Sequence, residues 1–361
     1  MRRDVLELDT AAAHTYRRLD LTLSDVESLR LILGGGSVVD WQRASFYDRQ
    51  AVDDYLKLLL LDMEDPWDME RLRYVFNEAV SYVEEQLRLR FPADLRNPED
   101  VRDVFVWASE VGGFRRRQIL SCVVLKLMHV IHHMEAADLK YKMPVSEADL
   151  CDLAEARILR LARQMRDSGL PVVSFYGSRK SRSSVITKLI AKRENIAATI
   201  FDKLRFRIVV ERRDDLIPAL AWLRRRVFPF NYAIPGQSHN NLVDPQRLLD
   251  FLDDDDRALA QPLEEEPIRQ VTGKNEFSAA DYRMVNFIVD YPVRLPDEVS
   301  APYHLELGRV VFLMVEFQLV DEETARLNED GENAHHLYKQ RQYSVVAQRL
   351  KRGAWKSRSR S

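Results

Sequence analysis

A carboxylate and an amide two residues apart on an otherwise apolar segment are the first sign of chemistry in this chain. Arg309 to Val320 reads as a strand, and alternate side chains of a strand face opposite sides. Val311, Leu313, Val315, Phe317 and Leu319 then share one face, and Val310, Phe312, Met314, Glu316 and Gln318 share the other. A strand apolar on both faces is central and covered, and there a carboxylate needs an ion-pair partner or a bound cation. A structural salt bridge and a cation site are both open readings of Glu316. Asp202 stands just ahead of a second strand, 203–211. Two acids at neighbouring strand ends, within reach of one divalent ion, would make a platform for Mg²⁺ and substrate phosphates.

Cations come from residues 177–193, GSRKSRSSVITKLIAKR. Ser184, Lys188 and Lys192 fall at i, i+4 and i+8 on one side of a helix, and Val185, Ile186, Leu189 and Ile190 take the opposite side. Arg179, Lys180 and Arg182 precede the helix, where backbone N–H groups and the helix dipole favour anions. The set suits a polyphosphate; a solvated basic face is the alternative. No GxxxxGK[ST] occurs, which excludes a P-loop.

These residues need a scaffold. Residues 1–168 read as a helical domain, a regulatory or scaffolding bundle. Its first helix covers 21–33, with Ser24 as N-cap and a stop at Gly34-Gly35-Gly36, and further amphipathic segments are punctuated by Pro66, Pro92, Pro98 and Pro144. From residue 169 the texture changes. Strands are expected at 170–177, 203–211, 282–293 and 309–320, and helices at 183–195, 214–228 and 322–350. A loop-rich insertion at 232–274 carries one short helix (DPQRLLDFL) and an acidic run, Asp253 to Asp256, read as a solvated face. The fold class is α+β, with the sheet domain spanning 169–350 and a basic, flexible tail at 351–361.

Composition sets outer bounds. The 361 residues are 46% hydrophobic and 31% charged, enough for a substantial core and against disorder for most of the chain. Fifty-four basic against 57 acidic residues give a net charge of −3, which argues against a dedicated duplex-DNA binder. Two cysteines without metal spacing fit a reducing compartment. No apolar run approaches the ~20 residues of a membrane span, and no signal core is recognised at the start, so a cytoplasmic protein without membrane contact is expected. His129 and His133 lie at i, i+4 on one helix side, a spacing that can bind a metal; buried, hydrogen-bonded histidines are the stronger reading.

Taken in order, these features resemble the synthetase domain of the RelA/SpoT family of alarmone synthetases, over about 170–340. VEFQLVDEETARLNEDGENAHHLYK (315–339) is similar to the family's VEIQIRT followed by AExGxAAHWxYK, with Glu316, Gln318, Glu329, Gly331, Ala334, His335, Tyr338 and Lys339 in register. KSRSSVITK (180–188) is similar to RxKxxxSxxxK through Lys180, Ser184 and Lys188, with Ser178 at the first arginine and Arg179 one place along. FDKLRFRIVV (201–210) is similar to DxxGxRIIV through Asp202 and Arg207, with Arg205 replacing a small residue. ADYRMVNFIVDYPV (280–293) is similar to NGYQSLHTxVxxP through Tyr282, with Asn286 in place of the histidine. Val320-Asp321 stand where the family has arginine-threonine, and the HD dipeptide of the family's hydrolase domain is missing near His129.

The resemblance implies a nucleotidyltransferase-like mixed sheet flanked by helices. It also implies a transferase that moves the β,γ-pyrophosphate of ATP to the 3′-hydroxyl of a guanine nucleotide, alarmone synthesis of the stringent-response type. Asp202 and Glu316 would hold Mg²⁺ and form the catalytic pair. Arg179, Lys180, Ser184, Lys188 and Arg207 would bind ATP, and Tyr282, Gln318, Asn286 and His335 the acceptor. Two alternatives stay open: a toxin-like enzyme acting on the tRNA 3′ end, and a catalytically silent nucleotide- or RNA-binding regulator of the same fold.

Overall fold

Capping side chains decide where the first helices begin. The computed structural model describes residues 6–7, 21–34, 41, 46–110, 115–191, 204–253, 257, 282–329 and 342–351. Helix α1 (Leu23–Gly34) starts one residue after Thr22, whose hydroxyl accepts from the Asp25 amide (3.3 Å) while Asp25 Oδ2 accepts from the Thr22 amide (3.0 Å). This reciprocal box corrects the expected Ser24 cap. Ser24 lies inside the first turn, where its Oγ accepts from Arg224 Nη2 at 3.3 Å. Asp48 and Asp65 cap α2 (Arg49–Leu58) and α3 (Pro66–Gln86). The short α4 (Ala93–Arg96) and α5 (Arg102–Ser109) lead to the long α6 (Arg115–Lys142). Ser146 and Asp149 then box the start of α7 (Glu147–Asp167).

By length and composition α6 could cross a membrane, which the sequence reading did not foresee. Here its buried side chains, among them Leu125, Met128 and Leu139, pack against α3, α5 and the sheet.

Among the described residues six strands make one mixed sheet: β1 (Leu6–Glu7), β2 (Val172–Arg179), β3 (Leu204–Val210), β4 (His239–Asn240), β5 (Val285–Arg294) and β6 (Val310–Asp321), in the order β1-β2-β3-β6-β5-β4. Only the β3–β6 pair is parallel. The twelve-residue β6 is paired on both sides and buried along nearly all its length, as its two apolar faces predict. The remaining helices are α8 (Arg182–Ala191), α9 (Leu216–Arg226), α10 (Asp297–Ser300) and α11 (Glu322–Glu329), and residues 342–351 are also helical. The DPQRLLDFL helix is a 3-10 helix, Pro245–Phe251, opened by Pro245 and capped by Asp244, whose Oδ1 accepts from the Gln246 amide. The acidic residues 254–256, the rest of the insertion to 281 and the tail from 352 lie outside the described residues.

The two faces of the sheet differ. Phe206, Phe317 and Phe287 are register partners and stack across three strands, with centroids 5.8 and 5.6 Å apart, and Phe228 closes on them after α9. Helix α7 covers this aromatic face; its Arg157 donates to the Tyr291 hydroxyl at 2.7 Å. Helix α6 packs on the other face at the Phe312 end, through the rings of His132 and His133. Helices and sheet thus share one apolar cluster.

Gly177 lies where α7 comes nearest to β2. A Cβ there would meet Glu155 Oε1 at 2.9 Å and the Phe206 ring at 3.0 Å. Gly177→Ala is therefore expected to cost about 1–3 kcal/mol by overpacking, read as a lower urea-unfolding midpoint. An unchanged midpoint would show that the ring and the carboxylate yield without cost.

Candidate active site on the polar face of the sheet

Register places the chemistry. Side chains paired directly across a sheet share a face, so Ser178, Arg205, Glu316 and Ile288 form one rung over β2, β3, β6 and β5. Tyr176, Arg207, Gln318, Asn286 and His239 form the next rung, which extends to β4. Ser178 and His239 are exposed at the margins, Tyr176, Arg205, Arg207 and Asn286 are half-buried, and Glu316 and Gln318 are buried in the middle. This is the polar face, on the side of the sheet opposite the stacked phenylalanines.

Glu316 is held from two sides. Arg205 Nε donates to its Oε2 at 2.7 Å, and Gln318 Nε2 donates to its Oε1 at 2.9 Å. The Arg205 side chain is 32% exposed and that of Glu316 only 6%, so the carboxylate is the buried member of the pair. On either side of Gln318, Arg207 Nη2 and Asn286 Oδ1 are buried atoms without a hydrogen-bond partner among the described residues. A donor and an acceptor left unsatisfied on one face cost free energy that a bound polar ligand recovers.

The other residues singled out in the sequence divide by position. Gln318, Arg207 and Asn286 join Glu316 in the two rungs. Arg179 does not. One residue past Ser178, it falls on the aromatic face opposite Leu204, and its guanidinium donates to Asp152 (2.6 Å) and Glu155 of α7. Those carboxylates hold the Arg179 guanidinium above its ordinary value, against the opposing effect of burial. Lys180 follows β2 directly, two residues ahead of α8, and Ser184 lies in the first turn of α8, where its Oγ is 2.9 Å from Ser181 Oγ. The Lys188 side chain, Asp202 and His335 lie outside the described residues. Tyr282 is half-buried just before β5, at the rim where Asn328 of α11 bonds both to the Arg283 amide and to its carbonyl. Asp321, in place of the family's threonine, caps α11: the Thr324 amide and hydroxyl donate to its two oxygens at 2.9 and 2.6 Å.

A magnesium ion needs several oxygen ligands. Among the described residues Glu316 is the only carboxylate of these two rungs, Arg205 already neutralises it, and no group of three or more His, Cys, Asp or Glu could hold a metal. These residues alone do not fit the ion.

Small alarmone synthetase 2 from Bacillus subtilis is similar at 15% identity, over 60% of this chain and 99% of that one, with a TM-score of 0.29. Small alarmone synthetase 1 from the same organism, bound to its product pppGpp, is similar at 11% identity, over 57% and 91%, with a TM-score of 0.30. The protein smu.1046c from Streptococcus mutans UA159 is similar at 16% identity, over 61% and 86%, with a TM-score of 0.28. Likenesses this distant carry no activity over to this chain. No family profile and no curated protein matches it.

Two parts of the polar face escaped the sequence reading. His239 sits on a two-residue strand, too short for any periodic signal. Asp290 had a signal: alternation through Asn286 and Ile288 puts it on the same face as Glu316. Its carboxylate lies 3.0 Å from His133 Nδ1. The neighbouring His129 and His132 are half-buried, the first accepting from Asn231 Nδ2 (3.3 Å) and the second facing the Tyr232 hydroxyl (3.5 Å).

Proposed function

We propose that the polar face binds a nucleotide polyphosphate and that the chain is an ATP-dependent pyrophosphokinase acting on a guanine nucleotide. The observation that carries this reading is the pair of rungs. A buried carboxylate, an amide, two arginines and unsatisfied donor and acceptor atoms share one face of the sheet across β3, β6 and β5, at the positions where the family motifs place Glu316, Gln318 and Arg207. Arg207 and the cations at the start of α8 face the triphosphate in this reading, with Lys180 and Lys188 neutralising charge that shifts to the leaving AMP and the Ser184 hydroxyl donating to a phosphate oxygen. Tyr282 and Asn286, at the far end of β5, meet the acceptor base.

The test is transfer of label from γ-labelled ATP to GDP, GTP or deacylated tRNA. Label is expected on a guanine nucleotide, and Glu316→Gln is expected to lower the rate by about 10²–10³-fold, the usual loss when one preorganised electrostatic contact is removed. Label on tRNA instead would make the chain a tRNA-modifying enzyme. ATP binding with no transfer to any acceptor would sink the enzyme reading.

One observation favours a second reading, a nucleotide-binding regulator: Arg205 holds the carboxylate that a catalyst would need available. That reading requires ATP to bind equally well to the wild-type chain and to Glu316→Gln.

A further inference from the structure

The geometry points to His133, held by Asp290, as the group that takes the proton from the acceptor hydroxyl. This rests on the pyrophosphokinase reading above and adds to it a residue from the helical part of the chain.

A general base must have a lone pair to offer. Glu316 Oε2 already accepts from the Arg205 guanidinium and Oε1 from the Gln318 amide. Asp290 lies opposite Met314, one rung from Glu316 on the same face. Diagonal neighbours of this kind stand about 7–8 Å apart, a span a bound ribose can bridge. The Asp290 carboxylate reaches His133 Nδ1 at 3.0 Å. That contact assigns the ring proton to Nδ1 and leaves the lone pair on Nε2, the arrangement by which a carboxylate orients a histidine base.

The ring is fixed in its plane. It stacks on Phe312 (centroids 4.5 Å, planes 27° apart) and on Tyr232 (4.9 Å, 30°), and its side chain keeps 26% of its surface exposed. Among the described residues, the titratable groups facing it are His129 and His132 of its own helix, Tyr232 and Asp290. Burial pushes His129 down to about 3 and His132 well below the usual histidine range, so both are neutral. Burial pushes the Tyr232 hydroxyl up, so it too is neutral. Asp290 is thus the single charged group of this set, and it stabilises the imidazolium that forms when His133 takes a proton.

In the step itself the acceptor O–H bond breaks and its proton passes to His133 Nε2. The hydroxyl oxygen bonds to the β-phosphorus of ATP, the bond from that phosphorus to the α–β bridging oxygen breaks, and that oxygen leaves on AMP. His133 then returns the proton to solvent.

The test compares wild type, His133→Gln, Asp290→Asn and, as a histidine outside the polar face whose ring meets Trp67 between β5 and β6, His304→Gln, for label transfer between pH 5 and 9, alongside ATP affinity and thermal unfolding. The wild-type rate should fall toward acid pH, where an imidazole that must accept a proton already carries one. His133→Gln should lose that acid limb and about 10²–10⁴-fold in kcat, with ATP affinity unchanged. Asp290→Asn, nearly isosteric, should lower kcat at least ~10-fold and displace the limb, and it reads the same chemistry should His133→Gln fail to fold. His304→Gln should keep both rate and limb. Retention of rate and limb by His133→Gln, or loss of the limb in His304→Gln, overturns the assignment while leaving the pyrophosphokinase reading intact. A wild-type chain that binds ATP and transfers no label overturns both.

Discussion

Asp25→Ala is expected to destabilise the chain by about 3–5 kcal/mol, the usual cost of removing one partner from a buried ion pair. The Asp25 side chain is 1% exposed. It accepts from Arg224 Nη1 at 2.7 Å, from Arg225 Nε at 3.1 Å and from the Arg225 terminal nitrogen, and it also accepts the Thr22 amide and hydroxyl. One carboxylate therefore caps α1 and fastens it to the last turn of α9. The substitution leaves two guanidinium groups facing an apolar seam, with Arg224 more deeply buried than Arg225.

The pH dependence of this contact has a definite sign. Burial alone would raise the Asp25 carboxyl, but the Arg225 hydrogen bond and the charges of Arg224 and Arg225 outweigh it and hold it below its ordinary value. A carboxyl lowered by folding contributes stability that is fully present above its unfolded value, about 3.9, and is lost as pH falls through the folded value. Urea midpoints should thus drop below about pH 4 in the wild type, and Asp25→Asn should remove that part of the acid sensitivity. Equal acid slopes in the two proteins would contradict it.

Arg205→Met is expected to destabilise by about 2–4 kcal/mol, somewhat under the fully buried case because Arg205 is partly in water. It leaves the Glu316 carboxylate with only the amide of Gln318 on its described side. Replacing both members together, Arg205→Met with Glu316→Met, should recover most of that loss, since an apolar pair of similar volume packs without an ion to desolvate. The double variant should nonetheless bind ATP more weakly than wild type, because the face has lost its charges. A double variant that stays as unstable as Arg205→Met would mean that the arginine stabilises through something other than Glu316. Full ATP affinity in the double variant would place the nucleotide elsewhere.

The strands of the sheet were legible because alternation is a local signal. Glu316 and Gln318 were read onto one face of a covered strand, and β6 has that form over twelve residues. The same alternation, carried one residue past Ser178, separates Arg179 from this face, and register shows its partners to be carboxylates of α7. The partner of Glu316 was not legible. Arg205 lies 111 residues away in sequence, and only the parallel pairing of β3 with β6 brings them together. The Thr22 box was present in the sequence as T-x-x-D, but a serine nearer the apolar run looked like the better cap. His133 was legible as one of a helical pair, yet what gives it a chemical role is a strand residue 157 positions later, Asp290, which no local period reveals.

The order of strands also bears on how the chain is made. Synthesis runs from the amino end, and β6, which joins the β2–β3 pair to the β4–β5 pair, is the last of the described strands to leave the ribosome. Until it arrives, β3 and β5 each present an unpaired edge rich in valine, isoleucine and phenylalanine, the kind of edge that recruits other chains. The nascent protein therefore carries the β3 edge open while residues 211–309 are made and the β5 edge open over 295–309, and a truncation between Arg294 and Val310 leaves both so. The strand that carries the chemistry is also the one that ends that exposure, so no active site is assembled before the chain has stopped being a hazard to its neighbours.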